Sequence, residues 1–102
     1  MALPGKAVIL AATTTPVFTA PADKAYSVNI NICNRSTSPV KVRLAIGSSS
    51  PLDAEFIEYD ATIYPSGVLE RTGRRVYPSE VVTVYADAAG LSVRVEGYEE
   101  VM

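Results

Sequence analysis

Glu55, Glu58 and Asp60 are the nearest this sequence comes to a reactive constellation. Paired carboxylates act as acid and base in glycoside hydrolysis, and clustered ones bind hard cations. In an extended chain Glu58 and Asp60 share one face opposite Ile57 and Tyr59, and that alternation alone accounts for them as a solvated surface. No Asp-x-Asp-x-Asp-Gly pattern accompanies them, so a calcium loop is not expected. The sequence has no histidine, which removes the commonest general base and the commonest zinc ligand together. Cys33, the single cysteine, therefore lacks an activating partner and reads as a small, partly buried side chain. Hydroxyl nucleophiles meet the same lack of a base, and no glycine-rich phosphate loop is present. The expectation is a non-enzyme with no catalytic, cofactor or metal residues.

Charge offers more. Arg71, Arg74 and Arg75 gather around Thr72-Gly73. They read either as a solvated hairpin corner paired with Glu70 and Glu80, or as a contact for an acidic partner surface. No aromatics interleave with them in a stacking pattern, so nucleic acid is not the expected partner. Arginine and tyrosine are enriched at protein interfaces. Arg71, Arg74, Arg75 and Tyr77 are thus the candidate protein contacts, with Glu99 and Glu100 as contacts from the C-terminal tail. Asn29 and Asn31 share a face of one strand, where asparagine is depleted; they face solvent, a neighbouring loop or another subunit. Asn34-Arg35-Ser36 matches the glycosylation sequon, a pattern short enough to arise by chance.

The elements that must carry these residues are strands. A chain of 102 residues makes one domain with one small core. The net charge of −2 lacks the basic excess of a nucleic-acid binder. No apolar run approaches the roughly 20 residues of a membrane helix, and the first residues lack the pattern of a signal peptide. Residues 1–6 read as an arm and 98–102 as a tail, both ordered by partners.

Period-two alternation predicts strands at Lys6–Ala12, Val17–Thr19, Tyr26–Cys33, Val40–Ile46, Glu55–Tyr64, Val68–Arg71, Val81–Ala86 and Leu91–Glu96. Tyr26, Val28, Ile30 and Ile32 form one apolar face, Val40, Val42, Leu44 and Ile46 a second, and Ile57, Tyr59, Ala61 and Ile63 a third. Tyr26–Cys33 and Val40–Ile46 are predicted to pair as a hairpin, and so are Val81–Ala86 and Leu91–Glu96 across Asp87–Gly90. Gly47–Asp53 is predicted as the connection that crosses between sheets. The fold class is all-β: a single β-sandwich, immunoglobulin-like or jelly-roll-like, with about seven or eight short antiparallel strands.

The runs VNINICNRSTSPVKVRLAI (Val28–Ile46) and EFIEYDATIYPSGVLERTGRRVYPSEVVTVYADAAGLSVRVEGYEE (Glu55–Glu100) resemble small structural proteins of tailed bacteriophages. The resemblance spans most of the chain and carries no catalytic motif. It implies a β-sandwich component of the virion, repeated on the particle as a homo-oligomer and docked on capsid, collar or tail subunits. The alternative is a receptor- or carbohydrate-binding module of a phage fibre or spike, although no tryptophan is present to serve as a sugar platform.

Overall fold

A computed structural model describes residues Ala2 to Glu100; Met1, Val101 and Met102 lie outside the described residues, as do the side chains of residues 2–4. Eight strands follow one another: β1 (Ala2–Ile9), β2 (Thr15–Thr19), β3 (Ala25–Asn34), β4 (Val40–Gly47), β5 (Phe56–Ile63), β6 (Val68–Val76), β7 (Val81–Ala86) and β8 (Leu91–Glu100). A 3-10 turn, Asp53–Glu55, precedes β5. Among the described residues no helix is long and apolar enough to cross a membrane.

The strands form two four-stranded sheets, ordered β1-β8-β3-β6 and β2-β7-β4-β5, with every named pair antiparallel. The protein is therefore an all-β sandwich. Its pairing is nested: first strand with last, second with seventh, third with sixth, fourth with fifth. Folding such a long hairpin and rolling it so that β3 meets β8 and β4 meets β7 gives the double-sheet jelly roll. In an immunoglobulin sandwich the first two strands are neighbours in one sheet; here they lie in different sheets.

That topology overturns both predicted hairpins. β3 and β4 lie in different sheets, as do β7 and β8. Their short connections, Arg35–Pro39 and Asp87–Gly90, are arches across the sandwich, and a link of that length has the same composition in either role. The crossing assignment is inverted as well. The segment from Ser48 to Glu55 joins β4 to β5 within one sheet, while every other connection crosses. Residues 2–6 are not an arm but the first half of β1, paired with Arg94–Tyr98 of β8. Tyr98–Glu100, read as tail, complete β8 beside Ala25–Ser27 of β3.

The core lies where the alternation put it along β3 and β4. Val28, Ile30 and Ile32 face Val40, Val42 and Leu44, joined by Ile9, Val76, Val82, Val84, Leu91 and Val95, all essentially inaccessible. Each such side chain contributes about 1.5–3 kcal/mol by leaving water. Phe18 packs edge-on against Tyr26 with ring centroids 5.1 Å apart. β5 departs from its predicted face. Ile57, Ala61 and Ile63 turn to the core, but Tyr59 is exposed. Register shifts opposite Leu44 and at Asp60, whose φ is +55°, insert extra residues and rotate Tyr59 outward. β6 carries a third irregularity. Thr72-Gly73 is not a corner but a bulge within the strand, with Gly73 at φ +66° and its N–H donating to Asn29 Oδ1 at 3.0 Å. Bulges in the edge strands β2, β5 and β6 interrupt the ladders that another strand could extend.

Candidate functional site

Asn34 fixes one end of the sandwich. Its side chain has 0% exposure yet satisfies every polar atom. Nδ2 donates to the carbonyls of Ser38 (2.9 Å) and Ile63 (2.8 Å), while Oδ1 accepts from the Ser36 N–H (2.9 Å) and hydroxyl (2.7 Å). The backbone adds Ser66 N–H to the Asn34 carbonyl and Arg35 N–H to the Gly90 carbonyl. One buried amide thus ties the β3–β4 arch to the end of β5, and the backbone beside it reaches the β5–β6 and β7–β8 arches. The sequon at Asn34 is spent on structure: its amide nitrogen is enclosed and already donates twice.

The three clustered carboxylates are separated by the fold into three tasks. Glu55 caps the β4–β5 connection, accepting from the N–H groups of Ser48 (3.0 Å) and Leu52 (2.9 Å). Those two backbone donors, Leu52 first, hold its carboxyl below the ordinary value. Glu58 meets the Arg71 guanidinium across the gap between the edge strands β5 and β6, closing that side of the sandwich. Asp60 pairs with Arg43 at 2.7 Å, and this hydrogen bond lowers the Asp60 carboxyl and raises the arginine. No group of three side chains able to hold a metal ion occurs among the described residues.

Arg71, Arg74 and Arg75 are not one cluster. Arg71 turns to Glu58, and Arg75 pairs with Glu100 at 2.7 Å and lies over the Tyr77 ring at 5.5 Å. Arg74 is exposed, with no ion-pair partner among the described residues. Among the described residues neither the Glu70 nor the Glu80 carboxylate forms an ion pair with them: Arg71 Nη1 donates to the Glu70 backbone carbonyl at 2.8 Å, and Glu80 accepts from the Tyr77 N–H at 2.8 Å. Glu99 pairs with Lys24 at 3.4 Å, which raises the lysine. The predicted arginine site and the predicted acidic tail therefore meet at Arg75–Glu100, side by side across β3. Of the proposed contacts, Arg74 and Tyr77 are exposed and outside the ion pairs.

Two outer faces complete the surface. On the β2-β7-β4-β5 sheet Arg43 lies 4.1 Å from the Tyr59 ring centroid and 5.2 Å from that of Tyr85, and Phe56 meets Tyr59 edge-on. Thr83, an outward position of β7, is only 1% exposed. Pro51, from the β4–β5 connection, lines with Thr83, Phe56 and Arg43 a cavity of about 160 Å³. The other face has no comparable connection folded over it, and it carries the Arg94–Glu96 and Arg75–Glu100 pairs. The register sets its side chains in rows: Val8, Ser92, Cys33, Val68; then Lys6, Arg94, Asn31, Glu70. Asn29 and Asn31 stand in the middle of this face, as the alternation required. Sequence reasoning did not assemble these rows, because their members come from four strands distant along the chain. No protein-family model matches the chain, and no curated protein proved similar to it.

Proposed function

We propose that this chain is a non-enzymatic structural protein of a tailed-bacteriophage virion, docking on capsid, collar or tail subunits and reinforcing the particle. The observation that carries this reading is a jelly roll with the β4–β5 connection folded over one outer face and the other left without a comparable cover. Jelly rolls recur in viral capsid and lectin domains, which is a likeness of architecture rather than of function. The resemblance of Val28–Ile46 and Glu55–Glu100 to phage structural proteins favours the virion over the lectin. Ion pairs such as Arg71–Glu58 and Arg75–Glu100 fix the shape of the building block. Repetition on a symmetric particle, as a homo-oligomer, multiplies weak contacts through avidity. Cryo-electron microscopy of purified particles tests it: jelly-roll density at regular positions is expected, and particles lacking the chain would overturn the proposal.

A carbohydrate- or receptor-binding module is the second reading, favoured by Phe56, Tyr59 and Tyr85 gathered on one face. Against it, the Tyr59 ring is already stacked on Arg43 and abutted by Phe56. Saturable binding on a glycan array, abolished by Tyr59→Ala, would replace the first reading with this one.

A further inference from the structure

The open face has an uneven chemistry. Its first row ends on two valines, Val8 and Val68, 64% and 58% exposed. A shallow depression of about 540 Å³ lies over β1, β8 and β3, floored by Val8, Asn31, Cys33 and Ser92 and bounded by Lys6 and Arg94. Arg35 reaches the same spot from the β3–β4 arch, its Nε donating to Ser92 Oγ. Among the described residues no carboxylate lines the depression, although the whole chain is net negative. Arg94 pairs with Glu96 at 2.9 Å, whereas Lys6 and Arg35 have no ion-pair partner among the described residues.

The geometry points to a docking surface for an extended acidic segment of a partner protein, whose carboxylates meet Lys6 and Arg35 while an apolar side chain covers Val8. This deepens the virion reading by naming the kind of neighbour. From Val8 to Val68 is three strand spacings, about 14 Å, which four or five extended residues span at about 3.3 Å each. Both halves of the recognition are present: apolar area to bury, and cations whose partners are still to come. A second copy of this chain related by a two-fold axis through the depression is a poor occupant. Such a contact sets each patch on its own image, bringing Lys6, Arg35 and Arg94 against like charges. Nucleic acid fits less well, since no aromatic lines the depression for a base to stack on and Glu96 stands beside Arg94.

The test is an NMR titration of the full-length ¹⁵N-labelled chain with a synthetic pentapeptide alternating glutamate and leucine. Saturable shifts confined to amides of residues 6–8, 31–35 and 92–94 are expected. The Lys6→Glu, Arg35→Glu double variant should weaken binding roughly tenfold, and a glutamine-for-glutamate peptide should not bind the parent chain. Shifts elsewhere, or unchanged affinity of the double variant, would overturn the proposal. So would a single-stranded oligonucleotide that binds the same amides more tightly than the peptide. The titration needs no particle, so its failure leaves the virion reading standing, and absence from the particle leaves the surface standing.

Discussion

On one outer face, Arg43 lies between Tyr59 and Tyr85 with Asp60 on its guanidinium. On the other, Asn29, Asn31, Cys33 and Ser92 lie beside the Arg94–Glu96 pair, and Lys6 stands without an ion pair among the described residues. The contrast follows from connectivity. Arches must span the roughly 10 Å between packed sheets, which leaves them little slack. The segment from Ser48 to Glu55 returns to its own sheet and has length to spare. It folds back, is pinned by Glu55, and brings Pro51 over Thr83. No arch has comparable reach over the β1-β8-β3-β6 sheet, so that face is left without a loop across it.

The largest expected effect bears on the flatness of the open face. A Cβ at Gly97 would run into the Ser27 carbonyl oxygen and come within 2.8 Å of Val28 Cα, so Gly97→Val should force β8 from β3. A loss of about 3 kcal/mol in urea unfolding is expected; a tolerated valine would show that close β3–β8 packing does not set this face. Asn34→Ala comes next. It strands the Ile63 carbonyl and should cost about 2 kcal/mol, with accelerated amide exchange at Ser36 and Ser66. Then come the faces themselves. Arg43→Met should lower the thermal midpoint, because two rings and a carboxylate lose their common partner, whereas Lys6→Met should leave it unchanged. Equal effects would erase the contrast.

The smallest effect is on pH dependence. Asp60 and Glu55 are depressed in the folded state, from ordinary values of 3.8 and 4.5. Their contributions are present above those values and fade as pH falls through the folded ones. Lys24 is raised from 10.5, so its contribution is complete below that value and lost as pH rises through the folded one. Asp60→Asn should flatten the acid limb of thermal midpoint against pH.

Strand positions and inward faces were legible because period two needs only local information. Val81–Ala86 matches β7 residue for residue, and Val28, Ile30 and Ile32 are buried as their spacing required. Pairing was not legible, since Asp87–Gly90 can close a hairpin or cross a sandwich with the same four residues. Thr72-Gly73 misled for a related reason: a glycine at positive φ serves a bulge as readily as a turn. Tyr59 failed because the extra residues in β5 arise from pairing with β4, which its own sequence does not announce. The candidate contacts are neighbours in sequence, yet their charges are met by residues more distant in the chain, Arg75 by Glu100 and Arg71 by Glu58.

The nested pairing also orders the assembly of the molecule in time. β4 and β5 are the least separated partners, with Val40 opposite Ile63; β1 and β8 are the most separated, with Ala2 opposite Tyr98. Closing the outermost pair first would fix a loop of nearly the whole chain against its full entropy. Zipping outward from β4–β5 lets each pair close a loop that the previous one has already shortened. Slow refolding is expected, limited by this sequence of closures, with Val42 and Leu44 in the nucleus and Gly5 and Val95 joining last.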